Sequence, residues 1–283
     1  MHDRGLILSH HEVAPLLAAR RGGDANTLAS GDLCRTQAEV ALTDTGVIFA
    51  GRPLVPWPAL ERIASATSKC FEVLGDTLHE LRVFSETTGW VRSLFPTGKA
   101  PTTLVAGFTM HRISGIDPHE DTVRKVNGAS PLAGRVLDTA TGLGYTAMLA
   151  ARTAESVVTV ELDPAAIELA RSNPWSDDLF AARNITQHIG DVGTLIEQFE
   201  AGSFARVVHD PPTLKLAGEL YSAAFYGQLH RVLAAGGKLS HYIGDPSSPS
   251  GGRTTRGVID RLREAGFRHV VAVASAYGVV ATK

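Results

Sequence analysis

The feature that most constrains this chain is an alternation. From residue 126 onward, short apolar runs and helix-like stretches take turns: GRVLDTA then YTAMLAARTA, SVVTVEL then PAAIELARSN, ITQHIGD then VGTLIEQFE, FARVVHD then ELYSAAFYGQLHRVLAAGG, KLSHYIG then RGVIDRLREAGF, and a closing strand pair in HVVAVASAYGVVAT. SVVTVEL is β-branched and unbroken, as a strand buried on both faces requires. Pro164 sits at a first helical turn, where its missing N–H costs nothing. Leu220, Phe225, Leu229, Val232 and Leu233 recur at helical spacing, and Gly236-Gly237 reads as that helix's stop. Strands and helices at this spacing predict an α/β fold with a mostly parallel sheet over residues 131–283.

Residues 1–105 read differently, as a small N-terminal α+β domain. AEVALTDTGVIFAGRPL turns at Asp44-Thr45-Gly46 like a hairpin, PWPALERIASATSK suits a helix, and CFEVLGDTLHELRVFSE suits two strands around Gly75-Asp76. The stretch from Val91 to Val126 is expected to join the two parts, with 106–130 as the connecting segment. The Ser-, Pro- and Gly-rich tract 244–257 reads as a mobile surface loop.

Charge and cysteine usage narrow the function classes. Residues 1–125 hold 13 Lys and Arg against 14 Asp and Glu, and residues 126–283 hold 14 against 15. The charge is therefore not segregated, and it gives no support to nucleic acid as a partner, which stays open only through a local basic groove. Arg253, Arg256 and Arg263 read first as a solvated helix face. Cys34 and Cys70 form no C-x-x-C pair, and none of the 11 histidines has H-x-x-x-H or H-E-x-x-H spacing, so neither a disulfide framework nor a metal site is expected. No apolar run approaches the ~20 residues of a membrane span. The start lacks a signal pattern, so a cytoplasmic location is the default expectation. Oligomeric state is not legible.

The chemistry gathers at the strand ends. VLDTATGLGYTA places Asp138 at the end of one strand, followed by Gly142-x-Gly144 before a helix. Glycines there permit a tight turn and close approach of a ligand to the backbone. Glu161 ends the next strand about 20 residues later, where a carboxylate can bind ribose hydroxyls. Asp191 ends the third strand and Asp210 the fourth. Each acid alone has a second reading as the cap of the following helix, but four in a row point to a ligand along the carboxyl ends of a parallel sheet.

This array resembles the class I S-adenosylmethionine-dependent methyltransferases over roughly residues 110–283, which implies a Rossmann-like sheet of the seven-strand type. DTATGLGYTA, NPWS, HDPPTLKLAGELYSAAFYGQLHRVL, HYIG and TMHRISGIDPHEDTVRKV look closest to a group of predicted, largely archaeal methyltransferases of unestablished substrate. The resemblance implies S-adenosyl-L-methionine as cofactor. It places the methionine part at Asp138, Thr139, Gly142, Gly144 and Tyr145, the ribose at Glu161 and Leu162, and the adenine at Asp191 and Val192. Arg112 is the candidate partner for the cofactor's carboxylate, with a surface salt bridge as the alternative. The family's usual glycine two residues after the first acid is Ala140 here. A dinucleotide fingerprint would need a third glycine where the chain has Ala147.

His209-Asp210-Pro211-Pro212 resembles the Asn/Asp/Ser-Pro-Pro-aromatic motif of enzymes that methylate amide or exocyclic nitrogens. There the side chain and the first proline carbonyl accept hydrogen bonds from the target nitrogen, and alignment supplies much of the rate. The fourth position is Thr213, not an aromatic, which weakens a nucleobase reading; Tyr221 or Tyr226 are the candidate substitutes. An aliphatic amine needs an acceptor for its proton, which Asp210, Glu219 and His209 could supply. His209 also reads as a satisfied core histidine. The expected function is N-methylation of an amine or amide-type nitrogen, with His209, Asp210, Pro211 and Tyr221 as the catalytic candidates. The alternatives are transfer or rearrangement of the cofactor's aminobutyrate or aminopropyl arm, as in polyamine synthases, an RNA methyltransferase, or a non-catalytic nucleoside-binding protein.

Overall fold

The computed structural model describes residues 4–245 and 247–283. The chain divides into two compact units, one of residues 1–118 with 168–177 and one of residues 119–167 with 178–283.

The second unit is built on the strand–helix alternation. Helix α1 spans Pro118–Asn127, its first residue in the other unit. The sheet strands are β1 (Arg135–Asp138), β2 (Ser156–Glu161), β3 (Ile185–Ile189), β4 (Phe204–His209), β5 (Leu233–Tyr242), β6 (Arg268–Val273) and β7 (Gly278–Thr282). They form one seven-stranded sheet in the order β3-β2-β1-β4-β5-β7-β6, with parallel pairing from β3 to β5 and antiparallel pairing at β7. The order reverses between β1 and β4, the place where an open parallel sheet opens a crevice at its carboxyl ends. Helices α2 (Tyr145–Ala151), α3 (Pro164–Ser172), α4 (Ala223–Val232) and α5 (Pro249–Glu264) lie among the strand connections. Leu137, Val207 and Leu239 from the sheet share a core with Phe225, Leu229 and Val232 of α4 and Val258 and Leu262 of α5.

Two boundaries differ from expectation. The helix after β4 breaks into a short 3-10 turn (Gly218–Tyr221) and α4, and it ends at Val232, not at the glycines. Leu233 already has extended backbone (φ −68°, ψ 139°), and Gly236 lies inside β5 at φ 72°, beside a register shift against β4. The glycine pair therefore shapes a bulge in a strand, a role that helical spacing cannot show. Most of the tract expected as a mobile loop is helix: α5 begins at Pro249 behind Ser248, whose hydroxyl accepts from Gly251 N–H. Ser-Pro is a loop signal and a helix start alike, and the cap decides. Pro246, also in that tract, lies outside the described residues.

The first unit, among its described residues, holds three small antiparallel sheets and the helices His10–Gly22 and Trp57–Ser65. The hairpins at Gly46 and Gly75 form, pairing Leu42 with Val47 and Leu74 with Thr77. Val91–Phe95, Thr102–Val105 and Phe108–Thr109, read above as connection, are strands of one sheet with Arg82–Phe84. Helix His10–Gly22 carries a signal that went unused: Ser9 and Glu12 close a capping box. In the NPWS stretch, Asn173 caps a short turn and Trp175 Nε1–H donates to Leu33 O at 2.8 Å. Cys34 Sγ–H donates to Glu12 Oε1, and burial with that contact raises its thiol to about 12, which disfavours the thiolate. Among the described residues no helix is long and apolar enough to cross a membrane.

Candidate active site

The carboxyl ends of β1 and β2 are locked to each other. Asp138 is fully buried and accepts from Thr146 Oγ1 at 3.0 Å and Thr159 Oγ1 at 2.7 Å. Burial pushes its carboxyl up to about 7, although both hydroxyls pull it down. Thr139 N–H donates to Val208 O at 3.1 Å, tying the turn to β4. Glu161 Oε2 accepts from Gly142 N–H at 2.8 Å and its Oε1 from Asp163 N–H at 3.0 Å.

The two glycines of the turn are needed for different reasons. Gly144 has φ 79°, and a Cβ there would lie 2.6 Å from Leu179 Cδ2, so a side chain would force Leu179 to shift. Gly142 has φ 52°, and a Cβ there would meet nothing within 4 Å. Its open side is the cradle a ligand would fill. Beyond it stand Leu162, 49% exposed, and Asp191, also exposed, while Tyr145 and Val192 are buried. Asp191 caps the turn after β3, accepting from Gly193 N–H at 2.8 Å. The cap reading and the ligand reading are compatible, since one oxygen makes that bond.

The end of β4 is built from different chemistry. His209 is fully buried. Its Nε2 is 3.0 Å from Leu220 O, which can only accept, so Nε2 bears the proton and Nδ1 accepts from Thr139 Oγ1 at 2.7 Å. Burial holds its pKa down to about 3, against the weaker opposing pull of the Leu220 carbonyl. Its place is that of a satisfied core histidine. His241 is likewise buried and held neutral, its Nδ1 3.3 Å from His209 O and its Nε2 2.9 Å from Tyr226 Oη. Tyr221 Oη–H donates to Pro212 O at 3.1 Å, which braces the proline pair. Tyr221 and Tyr226 are both buried in the core, and Thr213 and Glu219 are exposed.

Asp210 follows β4 with its carboxylate 2.9 Å from Lys125 Nζ, a residue of α1 that was quoted above but given no role. The same ammonium lies 3.3 Å from Asp121 Oδ2. Burial pulls Lys125 down, but Asp210 and Asp121 outweigh it and hold the amine above its ordinary value. Burial raises the Asp210 carboxyl, and Lys125 pulls against that. The structure thus gathers Asp138, Thr139, Gly142, Gly144, Tyr145, Glu161, Leu162, Asp191, Val192, His209, Asp210, Pro211 and Tyr221 within the second unit. Arg112 belongs to the first unit, beside His111, whose backbone N–H donates to Thr102 Oγ1.

No family model matches the chain. An uncharacterized protein of Methanocaldococcus jannaschii is 44% identical over 185 residues, which are 65% of this chain and 64% of that protein, so the chain spans less than two thirds of its relative's length. Among solved structures, a spermidine synthase in complex with the transition-state analogue AdoDATO is similar at TM-score 0.61 and 18% identity, covering 71% of this chain and 73% of its own. Spermidine synthase from Thermotoga maritima is similar at 0.57 and 16%, covering 74% and 76%, and MnmC2 from Aquifex aeolicus at 0.51 and 17%, covering 67% and 70%. At these identities the likeness establishes the fold alone: with the strand order β3-β2-β1-β4-β5-β7-β6, the chain has a Rossmann-like fold of the methyltransferase type.

Proposed function

We infer that the chain is an S-adenosylmethionine-dependent transferase that alkylates a nitrogen acceptor at Asp210-Pro211-Pro212, with methyl as the group moved. The observation that carries this reading is the Gly142 cradle: an open backbone surface joined to the Glu161 carboxylate, with exposed Leu162 and Asp191 beyond it. When bound there, the cofactor supplies an electrophilic carbon on a sulfonium leaving group. Glu161 would take the ribose hydroxyls, Asp191 the adenine amine, and Leu162 the apolar base face. The turn Asp138–Tyr145 would hold the amino-acid part.

Asp210 accepts a hydrogen bond from the acceptor nitrogen and aims its lone pair, and it takes the proton that nitrogen gives up. Tyr221 and His209 hold that end of β4 in place through Pro212 O and Thr139. A second reading, transfer of an aminopropyl-type arm, is favoured by Thr213 in the aromatic position and by the likeness to two spermidine synthases.

Calorimetric titration with S-adenosylmethionine and with S-adenosylhomocysteine tests the core of this reading. Binding of neither one refutes it. Mass analysis of the spent nucleoside separates the two transfers: S-adenosylhomocysteine means methyl transfer, methylthioadenosine means transfer of the longer arm.

A further inference from the structure

Asp121 and Lys125 sit one helical turn apart on α1, and together with Asp210 they make a buried set of two carboxylates and one ammonium. Side-chain exposure is 0% for Asp121 and 2% for Lys125, but 16% for Asp210. Lys125 Nζ also lies 4.0 Å from the centroid of the Tyr242 ring. Taking charges out of water costs several kcal/mol per ion, and apolar residues of similar volume often hold such a contact as well or better. Adhesion alone is therefore a poor reason for this set. Ser240 Oγ–H already donates to Lys125 O, and a Cβ on Gly128 would lie 2.2 Å from Val280, so α1 is fixed to β5 and β7 without the ion pairs.

What the set does control is Asp210. Lys125 bonds Oδ2, and no hydrogen bond engages Oδ1 among the described residues. Asp210 is also the one member with appreciable exposure. Among the described residues, Lys125 and Asp121 from α1, Tyr221 from the 3-10 turn and Asp138 from β1 act on it; Tyr242 from β5 faces Lys125, and His209, with His241 against its carbonyl, precedes it in the chain. Of these, Lys125 alone is a cation at neutral pH. Without it, Asp210 would lose its counter-charge while the Asp121 charge stayed beside it, and its carboxyl would become easier to protonate.

We propose that Lys125 is a positioning residue: shared between Asp121 and Asp210, it keeps Asp210 ionised and leaves Oδ1 for the acceptor nitrogen. This rests on the acceptor role given to Asp210 above. Asp121 sets the balance from the other side, as a like charge that holds Lys125 in place and makes Asp210 easier to protonate than the Lys125 contact alone would.

The test is a carboxyl titration. In protein labelled with 13C-aspartate, with Asp210 assigned by Asp210→Asn, Lys125→Met is expected to raise the Asp210 midpoint by about one to three pH units. Lys125→Arg restores most of the shift. Asp121→Asn moves the midpoint the other way, downward, because a like charge is gone. In turnover, the acid limb of the pH profile follows the same order. A midpoint unmoved in Lys125→Met and Asp121→Asn overturns the proposal, and so does an acid limb that ignores a displaced midpoint. If Lys125→Met does not fold, the sign of the Asp121→Asn shift decides. S-adenosylmethionine affinity of these variants, read by calorimetry, should match the wild type. Absence of binding in the wild type refutes the cofactor reading and leaves the titration result to stand by itself.

Discussion

The two halves of the strand-end row hold their carboxylates by opposite means. On the β1–β2 side, Asp138 accepts from two threonine hydroxyls and Glu161 accepts from the Gly142 and Asp163 amides, four neutral donors. On the β4 side, Asp210 rests on a buried ammonium, next to two imidazoles kept neutral. Neutral donors fix where an oxygen points and leave its charge to the ligand. An ammonium fixes the charge state itself. The first arrangement holds an oxygen in a set direction, and the second holds a carboxylate in its ionised, hydrogen-bond-accepting form.

Asp210→Ala would break this division most sharply. It should leave S-adenosylmethionine affinity intact and lower turnover by about 10²–10⁴-fold, the usual share of a positioned proton acceptor. Equal loss of both in paired calorimetry and rate assays would mean that the β4 side also holds the cofactor.

Within the β1–β2 half, the two glycines should come apart next. Gly144→Ala meets Leu179 and an unfavourable φ, and should cost about 1–3 kcal/mol in urea unfolding. Gly142→Ala has only the φ penalty, about 1–2 kcal/mol, but its methyl enters the cradle and should lower cofactor affinity more than Gly144→Ala does. The reverse ranking in calorimetry would move the ligand away from Gly142.

The halves should also answer pH in opposite directions. Asp138, raised from 3.8 to about 7, adds stability that is complete below its ordinary value and is lost as pH rises through the folded value. His209, lowered from 6.5 to about 3, adds stability present above 6.5 and lost as pH falls through the folded value. Unfolding curves across this range should flatten on the rising side in Asp138→Asn and on the falling side in His209→Gln. The smallest effect is at Asp191. Asp191→Ala removes a cap worth about 1 kcal/mol and, if the side chain also serves the base, lowers cofactor affinity beyond what that cap explains.

Local signals carried much of this. Unbroken β-branched runs gave the sheet, and the acids closing four of those runs gave the row of strand ends, because a strand's end and its side-chain period are properties of a few neighbouring residues. The turn at Gly142 and Gly144 was legible for the same reason. Helical spacing failed where the backbone departs from it: at Leu233, at the Gly236 bulge, and at Ser248, where a hydroxyl cap turns a loop-like tract into α5. The role of Lys125 is not legible in the sequence, since nothing in DTVRKV distinguishes a buried lysine from a surface one.

The sequence by itself determined the order of strands and helices, the acids at four strand ends and the proline stop after β4, since periodicity and backbone sterics act over a few residues. Only the tertiary structure decided the charge state of those groups. Lys125 and Asp210 stand 85 positions apart, and His209 is kept neutral by its burial. Burial and the distance to a partner set a titrating group's behaviour, and both exist only once the chain has closed on itself.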